Sequence, residues 1–204
     1  MTRKRQIALT LTAIALVLPF AGAQGPQSAF DASRDAEVFL GDEYVGPSDC
    51  GLVDIISVDL DASRWQGFVD IDLSDPQPDA CEELPLGRVS WVARIDSADG
   101  SGESIVLLAT QTQTAFSCEG TYFGGGLFGR MSDVTCARDA TGLSFLFPTR
   151  GETRDPFTGE PIYYKMKQGS YTIVIDATHE YKPALGAETW SVRDSLEPFP
   201  YSLQ

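Results

Sequence analysis

Oxygen ligation of a hard cation needs acids gathered on a flexible segment, and residues 94–104, RIDSADGSGES, place Asp96, Asp99 and Glu103 among Gly and Ser. An EF-hand loop takes acids at its first, third and fifth positions, Gly at the sixth and Glu at the twelfth. With Gly100 sixth, Ile95 falls first; with Gly102 sixth, Leu108 falls twelfth, so neither register fits. Asp-Gly and Ser-Gly are also preferred turn residues, because they accept positive φ. A plain turn is the main expectation here. An irregular calcium site at Asp96, Asp99 and Glu103 is the alternative, and no other cofactor is expected.

Catalytic chemistry is thinly supplied. Nucleophilic catalysis pairs a Ser, Thr or Cys with a base, but His179 is the chain's single His and has no G-x-S-x-G elbow to serve. A lone His of this kind reads as a surface residue. Asp70 and Asp72 share one face of an alternating run, yet acids are so numerous that a solvated face explains them better than glycoside hydrolysis. The Gly-rich FGGGLFGR, 123–130, lacks the Gly-Lys-Ser/Thr end of a phosphate loop and reads as a hairpin tip. The expectation is a non-enzyme. Three Trp could instead stack on a ligand: Trp91 alternates with apolar residues and is assigned to the core, which leaves Trp65 and Trp190 as candidate ligand contacts.

The elements that must position these residues are strands. Val69, Ile71 and Leu73 oppose Asp70 and Asp72; Val89, Trp91, Ala93 and Ile95 oppose Arg88, Ser90 and Arg94. Leu143, Phe145 and Phe147, and then Tyr171, Ile173 and Ile175, repeat that period of two, which suits a strand with one dry face. Residues 104–116 read as one long strand that leaves the core at an exposed edge. Turn-rich stretches separate the runs, and no sustained helical apolar face follows residue 23. The predicted fold is all-β, an antiparallel β-sandwich over residues 36–195. Segments 24–35 and 196–204 are expected to be loosely attached.

The four Cys, at 50, 81, 118 and 136, act as rulers. A hairpin turning near residue 64 brings Cys50 to Cys81, and one turning at Leu127 brings Cys118 opposite Cys136. The expected bridges are Cys50–Cys81 and Cys118–Cys136. Without C-x-x-C or paired-ligand spacing, neither a redox role nor zinc is expected.

Compartment follows from the start of the chain. Arg3, Lys4 and Arg5 precede an apolar run from Ile7 to Phe20, and then Ala-Gly-Ala at 21–23. These are the parts of a secretory signal peptide, predicted to be cut between Ala23 and Gln24. Export to the periplasm, cell envelope or exterior also suits disulfides. The chain carries 15 Lys and Arg against 29 Asp and Glu, a net charge of −14. That balance opposes binding to nucleic acid, which requires clustered cations. Asn is absent, so N-linked glycosylation is excluded. No membrane span is expected after signal removal.

Several pieces also fall in a familiar order: FDASRDAEVFLGDEY, then DIISVDLD, then VSWVARIDSADGSG, then GLSFLFP. Across Phe30 to Arg150 this resembles secreted bacterial DOMON-like domains, similar to the family-9 carbohydrate-binding modules. The resemblance implies an immunoglobulin-like or jelly-roll sandwich that binds sugar, haem or a protein ligand. Haem-binding members need axial ligands, and here only His179, Met131 and Met166 are on offer beyond the signal segment. The functional expectation is a binding module for a glycan or another envelope protein. The alternative is a structural envelope subunit stabilised by calcium.

Overall fold

The computed structural model describes residues 27–31, 35–48, 50–75, 87–182 and 187–203. The expected signal segment with its expected Ala23–Gln24 cleavage point, and Cys81 with the expected Cys50–Cys81 bridge, lie outside the described residues. None of the described cysteines is a free thiol.

Every described element is a strand. In chain order they are β1 (Gln27–Phe30), β2 (Glu37–Leu40), β3 (Glu43–Pro47), β4 (Ile55–Ala62) and β5 (Gln66–Leu73). Next come β6 (Arg88–Ser97), β7 (Ser104–Gln111), β8 (Phe116–Gly124), β9 (Leu127–Arg130) and β10 (Thr135–Arg138). The last are β11 (Gly142–Pro148), β12 (Arg150–Arg154), β13 (Pro161–Lys165), β14 (Gly169–Tyr181) and β15 (Trp190–Leu203). Pairing is antiparallel throughout and gives a five-stranded sheet, β1-β4-β5-β11-β10, and an eight-stranded sheet, β3-β2-β15-β14-β6-β7-β8-β9. The β12–β13 ribbon stands apart as a third, two-stranded sheet.

The expected alternation decides which face is dry. Val69, Ile71 and Leu73 are buried with Leu143, Phe145 and Phe147 from β11, while Trp91, Ala93, Ile173 and Ile175 bury from the larger sheet into the same core. Each such aliphatic or aromatic side chain contributes about 1.5–3 kcal/mol of transfer free energy. Several polar ties join the layers, three of them at buried or half-buried groups near the core. Tyr201 Oη accepts from the Ala62 amide at 2.9 Å, Asp194 Oδ2 from the Ile55 amide at 2.6 Å, and Trp91 Nε1 donates to the Leu52 carbonyl at 3.1 Å.

Four expectations need correction. Residues 104–116 are two strands, because Thr112 closes a turn: its amide donates to the Ala115 carbonyl and its hydroxyl accepts from the Ala115 amide. The segment 24–35 is not loose where it is described, since β1 pairs along β4 from Gln27 to Phe30. The 196–204 tail is also structured. β15 continues to Leu203 and buries Tyr201 and Leu203. Its two prolines are tolerated for two reasons. A register shift opposite Ile173–Ile175 absorbs Pro198, and β2 covers only residues 190–193, so the later half of β15 has an unladdered side. Finally, Cys118 and Cys136 are bonded as expected, but not across a hairpin. Cys118 lies on β8 of the larger sheet and Cys136 on β10 of the smaller one.

Candidate functional site

Two inter-sheet ties fix which residues share an end of the sandwich. Tyr201 meets Ala62, beside the β4–β5 turn that holds Trp65; Asp194 meets Ile55, seven residues back along β4. Trp190 lies further along β15 in that second direction. Trp65 and Trp190 therefore sit at opposite ends and cannot clamp one ligand.

At the first end, Ser63 builds the turn, its hydroxyl accepting from the Trp65 and Gln66 amides. Thr149 locks it from β11's far end by donating to the Trp65 and Ser63 carbonyls. The indole is 60% exposed, but one flank is taken: the Arg150 guanidinium lies 3.3 Å from the ring centroid, with Arg64 at 5.5 Å. A sugar stacking there would compete with a cation already in place.

The RIDSADGSGES turn sits at this same end, between β6 and β7, and each candidate calcium ligand has another engagement. Asp96 pairs with Arg94 at 2.8 Å, and Glu103 pairs with Lys167 at 3.0 Å. Asp99 Oδ1 accepts from the Ser97 hydroxyl and the Ser101 amide, both at 2.8 Å. Hydrogen bonds from Ser101 and then Ser97 hold the Asp99 carboxyl down at about 2. Gly100 and Gly102 take φ of +77° and +70°, which is what this tight reversal asks of them. The segment turns the chain by its own side chains.

An aromatic corner lies nearby, unnoticed in the sequence. Phe123 stacks on Phe128 at 5.8 Å, Phe128 meets Phe157 edge-on at 5.7 Å, and Phe157 is 84% exposed. Asp155 shapes the Phe157 loop by accepting from the Phe157 and Thr158 amides.

The second end holds a cleft of about 680 Å³. Arg88, Glu180 and Lys182 give it charge, Thr112, Gln113, Thr114 and Thr189 give it hydroxyl and amide groups, and Tyr181 forms an aromatic wall. Trp190 stacks behind Tyr181, ring centroids 6.2 Å apart. The lining is built from strand ends, where β6, β7 and β14 deliver outward residues next to turns. His179, one step inward on β14, is not a surface residue as the sequence suggested. It is buried by the inward parity it shares with Ile173, Ile175 and Ala177, its Nδ1 lacks a hydrogen-bond partner, and burial depresses its pKa, so it stays neutral at pH 7. Gly87 must be Gly because a Cβ there would lie 2.1 Å from His179 Nε2.

Beside the cleft end, Asp31, Asp35 and Asp194 bring one carboxylate oxygen each within 4.8 Å of the others. This is the close acidic trio among the described residues, and such oxygens can share a proton or face a cation. Asp194 is buried, and its pKa is pushed up to about 6, chiefly by burial; the Ile55 and Ser195 amides oppose the rise while Asp35 and Asp31 add to it. The Asp35 carboxyl is also raised, by partial burial and then by Asp31. One signal in the sequence pointed to Asp194, since it shares the parity of Val192 and Leu196 on β15.

No family model matches the chain, and neither a curated protein nor a solved structure does. No helix among the described residues is long and apolar enough to cross a membrane.

Proposed function

We propose that this protein is an exported, non-catalytic binding module that takes a glycan in the cleft at the Trp190 end. The observation that carries the reading is the lining itself. Thr114 and Thr189 hydroxyls, the Gln113 amide and the charged Arg88, Glu180 and Lys182 line the cleft together with Tyr181. Sugars present hydroxyls around an apolar ring face, so a polar rim beside an aromatic wall matches both parts. The resemblance to carbohydrate-binding sandwiches and the signal-like start support the same reading. On it, Cys50–Cys81 is the second staple, the sandwich is of immunoglobulin-like or jelly-roll type, and the protein works in the periplasm or outside the cell.

The test is a glycan array probed with the purified protein, followed by calorimetric titration of any hit. Binding that is lost in Tyr181→Ala and kept in Trp65→Ala supports the cleft. Silence across neutral and acidic glycans alike sinks the reading.

A second reading, contact with another envelope protein, is favoured by the Phe123–Phe128–Phe157 corner, since exposed aromatic patches mark interaction surfaces. Cross-linking from the corner in envelope fractions, abolished by Phe157→Asp, is its expected result; unchanged cross-linking counts against it.

A further inference from the structure

Cations are scarce on this chain, and most of those described are already engaged. Arg94 lies on Asp96, Lys167 on Glu103, Arg138 on Gln111 and both Arg150 and Arg64 on the Trp65 ring, and Arg130, Arg154 and Arg193 each have an acid within 4.0 Å. Arg88, Lys165 and Lys182 are the exceptions among the described residues. Two of these three line the same cleft, where Glu180 is the single described acid. Arg88 and Glu180 are register partners across β6 and β14, yet no ion pair joins them. A protein with net charge −14 thus leaves two positive groups unspent at one polar opening.

We propose that the cleft selects a glycan bearing an isolated carboxylate, such as one uronic or sialic acid residue on an otherwise neutral oligosaccharide. The inference rests on the glycan reading of the same cleft and names its ligand class. Arg88 and Lys182 supply donors that match a carboxylate, the guanidinium in bidentate fashion and the ammonium as a point charge. At physiological salt the screening length is about 8 Å, so the local cations govern a charge inside the cleft. A long polyanion extends past that range onto the acidic remainder of the surface and is repelled. One carboxylate is favoured, and a row of them is not.

The experiment compares matched pairs by calorimetry with the purified protein: sialyllactose against lactose, and a xylotetraose carrying one glucuronate against the same sugar after carboxyl reduction. The acidic member should bind about five-fold tighter or more, the worth of one or two solvent-accessible ion contacts. Raising salt should narrow the gap. Arg88→Gln with Lys182→Gln should erase the preference while leaving the folded state intact by circular dichroism. Should those substitutions unfold the protein, the salt dependence of the matched pairs in the unaltered chain decides the matter. Equal binding of both members overturns this inference and leaves the glycan reading standing, as does binding of neutral glycans elsewhere on an array with no response to either pair. Absence of any glycan binding overturns both.

Discussion

Cys118 on β8 and Cys136 on β10 are bonded across the two sheets, their Cα atoms 6.0 Å apart. The bond pins the outer strands of the smaller sheet to the larger one, beside the edge where β9 ends the ladder. Its loop spans 18 residues, for which chain-entropy arguments give about 3 kcal/mol. Replacing both residues by Ser should lower unfolding free energy by about 2–4 kcal/mol in urea titrations. A midpoint unchanged by the double substitution would show that the sheets hold this corner without the bond.

Asp194 makes stability depend on pH. Its folded pKa is about 6 against an ordinary 3.8, so the folded state binds the proton more tightly than the unfolded chain. Stability should therefore rise as pH falls through 6 and level off below about 4, with a total change of about 2–3 kcal/mol. Urea midpoints measured from pH 4 to 8 check the slope. Asp194→Asn should flatten it, because the amide oxygen still accepts from Ile55 while the buried charge is gone.

Trp91 and Trp65 should respond in opposite ways to truncation. Trp91 is fully buried and bonded to the Leu52 carbonyl, so Trp91→Ala should cost about 3–5 kcal/mol. Trp65→Ala removes an exposed ring and its Arg150 contact, worth about 0.5–1 kcal/mol. Thermal unfolding of the pair of variants separates these values. Comparable losses would place Trp65 in the core, contrary to its position.

Among the described glycines, Gly142 is the one with least room for a side chain. A Cβ there would lie 1.9 Å from the Ile71 carbonyl oxygen, a backbone atom on the neighbouring strand. Gly142→Ala should destabilise by about 1–3 kcal/mol through strand displacement. Gly46→Ala meets no atom within 4 Å and should be near neutral in the same assay.

How much of this was legible beforehand depended on period and parity. The alternation around Val69–Leu73 and Val89–Ile95 gave the strands and their dry faces, because a half-buried strand leaves no other pattern. Residues 196–204 read as a loose tail because Pro198 and Pro200 argue against a strand, and only the partial reach of β2 shows that these prolines sit where no donor is needed. Cys118 and Cys136 were paired correctly from symmetry about Leu127, though the real path leaves the hairpin after β9 and enters the other sheet at β10. The cleft was invisible for a different reason. Arg88, Thr112 and Lys182 are far apart in the chain, and only the register of β6 with β7 and β14 gathers them.

β15 has a bearing on how the molecule comes to exist. Strands β2 and β3 belong to the larger sheet only through residues 190–193, so the earliest part of that layer waits, unjoined, until synthesis has reached nearly the last stretch described. Such distant closure is slow to nucleate. On the export route proposed above, the late joining of these two strands would suit passage through a translocation pore before the larger layer is complete.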